Sequence, residues 1–115
     1  MKSVEKITLG AIAAAVAVAP YRRQHRIGCA IVRRDGAIVA SRNAPARNKE
    51  PQCHAEARAL RKAGSDARFV MIVRVKRDGS LGMAMPCKNC QNLLRARRAK
   101  RVVYTDTSGR LKTLW

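Results

Sequence analysis

Acidic residues are scarce: seven Asp and Glu stand against 25 Lys and Arg in 115 residues, a formal net charge of +18. That shortage excludes a surface evenly laced with ion pairs. It attracts polyanions and speeds their encounter with the chain, although charge speaks to partners and not to fold. Aromatic residues are scarce too, at 3%. Tyr21, Phe69, Tyr104 and Trp115 are all there are, few platforms for stacking the bases of a single strand. Hydrophobic residues nevertheless make up 47% of the chain, so the core must be built from Ala, Val, Ile and Leu. That composition suits helices packed on a sheet and excludes disorder. No internal repeat, low-complexity tract or linker is visible, and the length fits one domain spanning residues 1–115.

A long hydrophobic run is also missing. The longest apolar stretch, Ile7 to Ala19, is too short and too rich in Ala to span a membrane. Lys2 and Lys6 before it give the outline of a signal peptide, but Glu5 interrupts the basic segment. Ala, Ile and Leu suit a packed helix equally well. The expectation is a helix over Ser3–Ala19, buried nearly all round and stopped by Pro20, in a cytoplasmic chain without membrane association.

Beyond a basic connector, Tyr21 to Arg26, the residues Ile27 to Arg33 read as a strand. Asp35-Gly36 is a hairpin turn, and Ala37 to Ser41 is the partner strand. A loop rich in Asn, Pro and charge covers Arg42 to Pro51. Gln52 to Ala63 is a helix ended by Gly64. Arg68 to Lys76, rich in β-branched residues, is a central strand. A loop with its turn at Asp78-Gly79 leads to Pro86, which opens a helix over Cys87–Ala99. Arg101 to Thr105 is a strand, Asp106 to Gly109 a turn, and Arg110 to Trp115 a closing strand. The order describes a layered α/β domain, one sheet covered by helices.

Of four cysteines, Cys29, Cys53, Cys87 and Cys90, the last two form a C-x-x-C pair. Without a secretory context such a pair points to metal or redox work. Placed at i and i+3 in a helix's first turn, both sulfurs lie on one face, where the macrodipole favours thiolate. With His54 they give zinc three protein ligands and leave a fourth position open for water, the pattern of a catalytic site. A closed structural site would need a fourth ligand, for which Cys53 and Cys29 are the candidates. Glu56, two residues beyond His54, is placed to move protons to and from a water whose pKa zinc lowers from about 15.7 towards about 7.

His54-Ala55-Glu56 followed by Pro86-Cys87-Lys88-Asn89-Cys90 resembles the zinc deaminase signature H-x-E…P-C-x-x-C. The resemblance covers most of the chain, because the order of elements also matches the cytidine deaminase-like fold. It implies a three-layer α/β fold: a five-stranded mixed sheet, helices on both faces, and a hairpin of the last two strands. It also implies His54, Cys87 and Cys90 as zinc ligands and Glu56 as proton shuttle. Asn43 resembles a substrate-contacting Asn ahead of the H-A-E helix, and Ala55 the residue whose backbone helps hold the base.

The activity implied is hydrolytic deamination of cytosine, in a nucleoside or nucleotide, to uracil with release of ammonia. His-Ala-Glu resembles deoxycytidylate, tRNA adenosine and polynucleotide cytosine deaminases, whereas free-nucleoside cytidine deaminases commonly show Cys-Ala-Glu. The short link between the last two strands resembles the nucleoside enzymes instead. Alternatives are a deaminase acting on cytosine or adenine in single-stranded DNA or RNA, and a non-catalytic zinc-stabilised nucleic-acid-binding module. Glu56 argues against the last. The basic run Arg95 to Arg101 would be the contact for a single strand, through Arg95, Arg97 and Arg98. A homo-oligomer is expected for so small a core.

Overall fold

The computed structural model describes residues 3–18, 26–43, 54–64 and 67–115. In chain order the elements are α1 (Ser3–Val18), β1 (Arg26–Arg33), β2 (Ile38–Arg42), α2 (Ala55–Ala63), β3 (Ala67–Val75), β4 (Leu81–Gly82), α3 (Lys88–Ala96), β5 (Arg101–Thr105) and β6 (Leu111–Thr113). They form one mixed sheet in the order β2-β1-β3-β5-β6, with β4 paired to the end of β3. β3 is central, antiparallel to β1 and parallel to β5. The parallel pair requires a crossover, which α3 supplies. β5 and β6 form the expected antiparallel hairpin.

Alternation along the strands assigns the two faces. Cys29, Ile31, Val70, Ile72, Val102 and Tyr104 face α2 and α3 and share a core with Ala59, Leu60 and Leu94. Ala30, Met71, Val73 and Val103 face the opposite way, onto Leu9, Ala13 and Ala17 of α1. The three layers expected from the sequence are therefore present. α1 differs from expectation in one respect. Leu9, Ala13 and Ala17 form its buried stripe, whereas Ala11 and Ala15 are exposed. A lone helix on a sheet has cover on one side only, so an Ala-rich sequence does not imply burial all round.

Three hairpins share one turn chemistry. Asp35, Asp78 and Asp106 each accept a backbone N–H two residues on, from Ala37, Ser80 and Ser108. Gly36, Gly79 and Gly109 supply the positive φ of 86°, 88° and 82°. The loop expected between Arg77 and Met85 is thus partly a hairpin: Leu81 and Gly82 pair with Val75 and Arg74. A strand of two residues is too short to leave a sequence period.

α3 ends at Ala96, three residues before the expected stop. Ala99 N–H bonds to Leu94 O and Arg98 N–H to Arg95 O, both at 3.0 Å. That is a Schellman closure, with Arg98 at the position Gly usually takes. Its φ of 55° costs a non-glycine residue about 1 kcal/mol.

α1 sits very close to the sheet at Gly28. A Cβ there would lie 1.8 Å from the Ala13 carbonyl oxygen and 3.1 Å from the Ala17 nitrogen. Gly28→Ala should destabilise by about 2 kcal/mol, lowering the melting temperature by roughly 10 °C. Gly10→Ala, whose added Cβ would meet nothing within 4 Å, should be neutral or stabilising. Equal melting temperatures for the two variants would contradict this seating of α1.

Acid should weaken the fold through Asp106. Asp106 accepts from Ser108 Oγ at 2.8 Å and from the N–H groups of Ser108 and Arg110 at 2.9 Å. Those bonds hold its carboxyl below the usual carboxylate range. A depressed value means stability present above the unfolded pKa of about 3.9 and lost as pH falls through the lower folded one. Wild type should therefore exceed Asp106→Asn in melting temperature at pH 7, and the gap should close in acid. A gap independent of pH would refute it.

Candidate zinc centre

His54 and Cys87 stand at helix N-caps. His54 precedes α2 with φ −69° and ψ 150°, and Cys87 precedes α3 with φ −65° and ψ 165°. Ser, Thr, Asp or Asn there would contribute about 1 kcal/mol by bonding the helix's first N–H groups. Neither His54 nor Cys87 makes such a bond. Both side chains turn to one another instead. Cys90, in the first turn of α3, completes the group.

Cys87 Sγ lies 3.6 Å and Cys90 Sγ 3.4 Å from His54 Nδ1. All three donor atoms lie within 4.8 Å of one another. A tetrahedral zinc with Zn–N about 2.1 Å and Zn–S about 2.3 Å sets nitrogen and sulfur about 3.6 Å apart. The donor set therefore fits zinc in kind and in spacing. Its electrostatics agree. Burial pushes the Cys90 thiol well up, and the charges of Glu56 and Cys87 push it further. A divalent cation among the donors removes that penalty, and two helix N-termini reinforce it. Cys87 is exposed and Cys90 buried, so the group opens to solvent on the Cys87 side.

Glu56 is 5% exposed, in the first turn of α2. Burial raises its carboxyl above the ordinary value, while its own backbone N–H, His54 and a hydrogen bond with the Cys90 thiol oppose the rise. It is not paired with Arg58, whose guanidinium donates to Arg42 O at 3.0 Å. Cys29 lies fully buried on β1, close enough for Glu56 and Cys90 to raise its thiol further above a value already lifted by burial. It is not part of the donor group among the described residues. Cys53, the other candidate fourth ligand, lies outside the described residues, as do the loop at 44–51 and most of the basic connector at 21–25.

His54, Ala55, Glu56 and Cys87 line a cavity of about 330 Å³. Asn43 lines it as well, and is pinned: its N–H donates to Ile27 O, and its Oδ1 accepts from Ile27 N–H, both at 3.0 Å. The structure thus brings together all six residues singled out in the sequence. It adds Ile27, Met83, Ala84 and Met85 to the lining. A methionine is ordinarily a packing residue, yet Met83 and Met85 are 40% and 48% exposed. The available signal was their position, four and two residues before Cys87, on one side of an extended segment.

Residues 1–106 match the family described as the cytidine and deoxycytidylate deaminase zinc-binding region. The chain belongs to this family. Zinc is the family's metal, and the described residues position His54, Cys87 and Cys90 to bind it. The fold agrees with solved members. A cytidine deaminase from Burkholderia pseudomallei superposes with a TM-score of 0.68 at 23% identity, covering 98% of this chain and 91% of that one. A cytidine deaminase from Mycobacterium tuberculosis gives 0.64 at 25% identity over 94% and 89%. A dCMP deaminase from the cyanophage S-TIM5 gives 0.65 at 18% identity over 94% and 87%. A search of curated proteins finds no match.

The family chain should carry about one zinc when prepared without chelators, and chelation should lower its melting temperature reversibly. Cys90→Ser should lose the metal and Cys29→Ala should keep it. Metal analysis showing zinc lost from both variants would make Cys29 a fourth ligand and close the site.

Proposed function

We propose that this protein is a zinc-dependent hydrolytic deaminase, a hydrolase of cyclic amidine C–N bonds, converting cytosine in a free nucleoside or nucleotide to uracil. The observation that carries this is a buried carboxylate, Glu56, beside a three-donor metal group at the wall of one small cavity. His54, Cys87 and Cys90 hold the zinc. When bound, zinc supplies a water acidified enough to act as a nucleophile near neutral pH. Glu56 would carry one proton on a carboxylate oxygen from the attacking water to ring N3 as the oxygen bonds C4. It would then carry a second from the new C4 hydroxyl to the amino group, which leaves as ammonia as the C4–N bond breaks and C4 becomes a carbonyl. Its burial keeps competing water from the proton it carries. Asn43, held by two bonds to Ile27, and Ala55, at the start of α2, position the substrate.

The cavity volume, about 330 Å³, sits at the small end of the 300–1,000 Å³ typical of ligand sites. Ile27, Met83 and Met85 give it apolar walls suited to the faces of one ring. The described aromatic residues are engaged elsewhere. Tyr104 is in the core, Phe69 lies under Arg68, and Trp115 lies under Arg95 with its Nε1 donating to Ala99 O. None offers a stacking platform for a strand, which favours a small substrate over a polynucleotide. The polynucleotide reading retains the support of net charge and of His-Ala-Glu. A cytoplasmic, self-associating enzyme completes the proposal. No described helix is long and apolar enough to cross a membrane, and exposed Ile38, Met83, Met85 and Leu111 offer apolar contact area.

Uracil formation from cytidine, deoxycytidine, their monophosphates and a cytosine-containing oligonucleotide tests the proposal, with turnover expected on a small substrate. Glu56→Ala should keep fold and zinc and lose turnover by about 10³-fold. Loss of zinc from that variant would move Glu56 into the ligand set and overturn its role. Turnover of the oligonucleotide alone would favour the second reading.

A further inference from the structure

The basic run Arg95 to Arg101 does not form one surface. Arg95 is stacked over the Trp115 ring at 4.1 Å, and Arg97 donates to Gly64 O at 2.5 Å. Arg98 and Lys100 go elsewhere. They line a cavity of about 340 Å³ with Arg34, from the turn after β1, and Ala67 and Arg68, from the start of β3. Among the described residues, four of its five lining side chains are cationic. The cavity lies at the N-terminal end of β3. The zinc centre lies at the other end, where Ile27 pairs with Arg74 and the chain leaves β4 toward Cys87. From Arg68 to Arg74 the strand advances about 20 Å, at about 3.3 Å per residue.

Two further observations set this cluster apart from an ordinary solvated face. Lys100 N–H donates to Arg68 O at 2.9 Å, which ties the two backbones together, and the Arg68 guanidinium rests 4.9 Å from the Phe69 ring centre. Arg98, moreover, occupies a left-handed helix terminus that Gly fills without strain. A strained arginine placed where it brings a fourth cation into a cavity points to a ligand, because the fold alone is better served by glycine. Planar guanidinium forks and an ammonium together match phosphoryl oxygens.

We propose that this cavity is a phosphate-binding site, in which Arg34, Arg68, Arg98 and Lys100 hold phosphoryl oxygens at the end of the sheet remote from the zinc centre. The phosphates belong either to a polynucleotide backbone or to a small phosphorylated compound. The site does not depend on the deaminase reading, since binding is measured without turnover.

The test uses the intact zinc-loaded protein with two probes, a short fluorescein-labelled oligothymidylate and pyrophosphate. Arg98→Gly should raise the melting temperature by about 3 °C, because the strain is relieved. The same variant should weaken binding by about tenfold, the loss expected for one charge-assisted contact. Arg98→Ala with Lys100→Ala should lower the oligonucleotide salt slope by about 1.4, two contacts at about 0.7 each. Arg77→Ala with Arg110→Ala removes the same charge elsewhere and should weaken binding much less. Loss of oligothymidylate binding identifies a polynucleotide as the occupant, and loss confined to pyrophosphate identifies a small ligand. No binding of either probe by wild type, unchanged binding by Arg98→Gly, or equal losses from the two charge-matched pairs would overturn the proposal.

Discussion

Two helix N-termini have to meet at one point, and the rest of the molecule is arranged to make them do so. α2 brings His54 and Glu56, and α3 brings Cys87 and Cys90. Each helix is only nine residues long and would not persist alone. Their apolar sides are therefore decisive. Leu60 and Leu94, fully or almost fully buried, contribute about 2 kcal/mol each by leaving water, and Ala55, Ala59 and Ala63 let α2 approach the strands closely. The approach to α3 is fixed independently by Thr105. Its Oγ1 donates to Gly82 O at 2.6 Å and accepts from Arg74 N–H at 3.3 Å, while Ala84 N–H donates to Thr105 O at 2.8 Å. The segment that delivers Cys87 is thereby tied to both β3 and β5.

With seven acids in the whole chain, most cations have no acid to pair with, and the structure gives many of them carbonyl oxygens instead. Arg26 reaches Val75 O and Lys76 O, Arg58 reaches Arg42 O, Lys62 reaches Ala40 O, and Arg97 reaches Gly64 O. These oxygens lie at strand ends, helix ends and the sheet edge, where backbone acceptors are left over. Four of the acids are equally local: Asp35, Asp78 and Asp106 shape turns, and Glu56 sits at the zinc centre. Net charge therefore overstates the surface free for a polyanion.

The sequence made the zinc centre legible because its requirements are chemical and local. Donor types, C-x-x-C spacing and a Glu beside the His restrict the readings without any knowledge of packing. Strands of five or more residues, and turns carrying Asp and Gly, were legible for similar reasons. What was not legible depended on neighbours. β4 exists because the end of β3 has a vacant side beyond β5. α3 stops at Ala96 through a Schellman closure without glycine, so the usual stop signal was missing. Ala11 and Ala15 of α1 look like core residues until the sheet is seen to cover one side alone. Met83 and Met85 look like packing until the cavity beside them is visible.

The two ends of β3 therefore differ in kind. At one end, cations gather around a cavity with Ala67 as its sole uncharged described lining. At the other, thiols and a carboxyl gather in a chain otherwise rich in positive charge. Two thiolates and one carboxylate would leave a divalent cation there with a net charge of about −1, counted from ionised side chains. A negative, apolar-walled cavity favours the neutral face of a base over a phosphate. The opposite character of the two cavities suits the proposed phosphate site and the proposed reaction site to different chemical groups. On the proposed reading, a cytosine ring would pass Met83 and Met85 to reach Glu56, and any phosphate attached to it would meet less repulsion outside the cavity than within it.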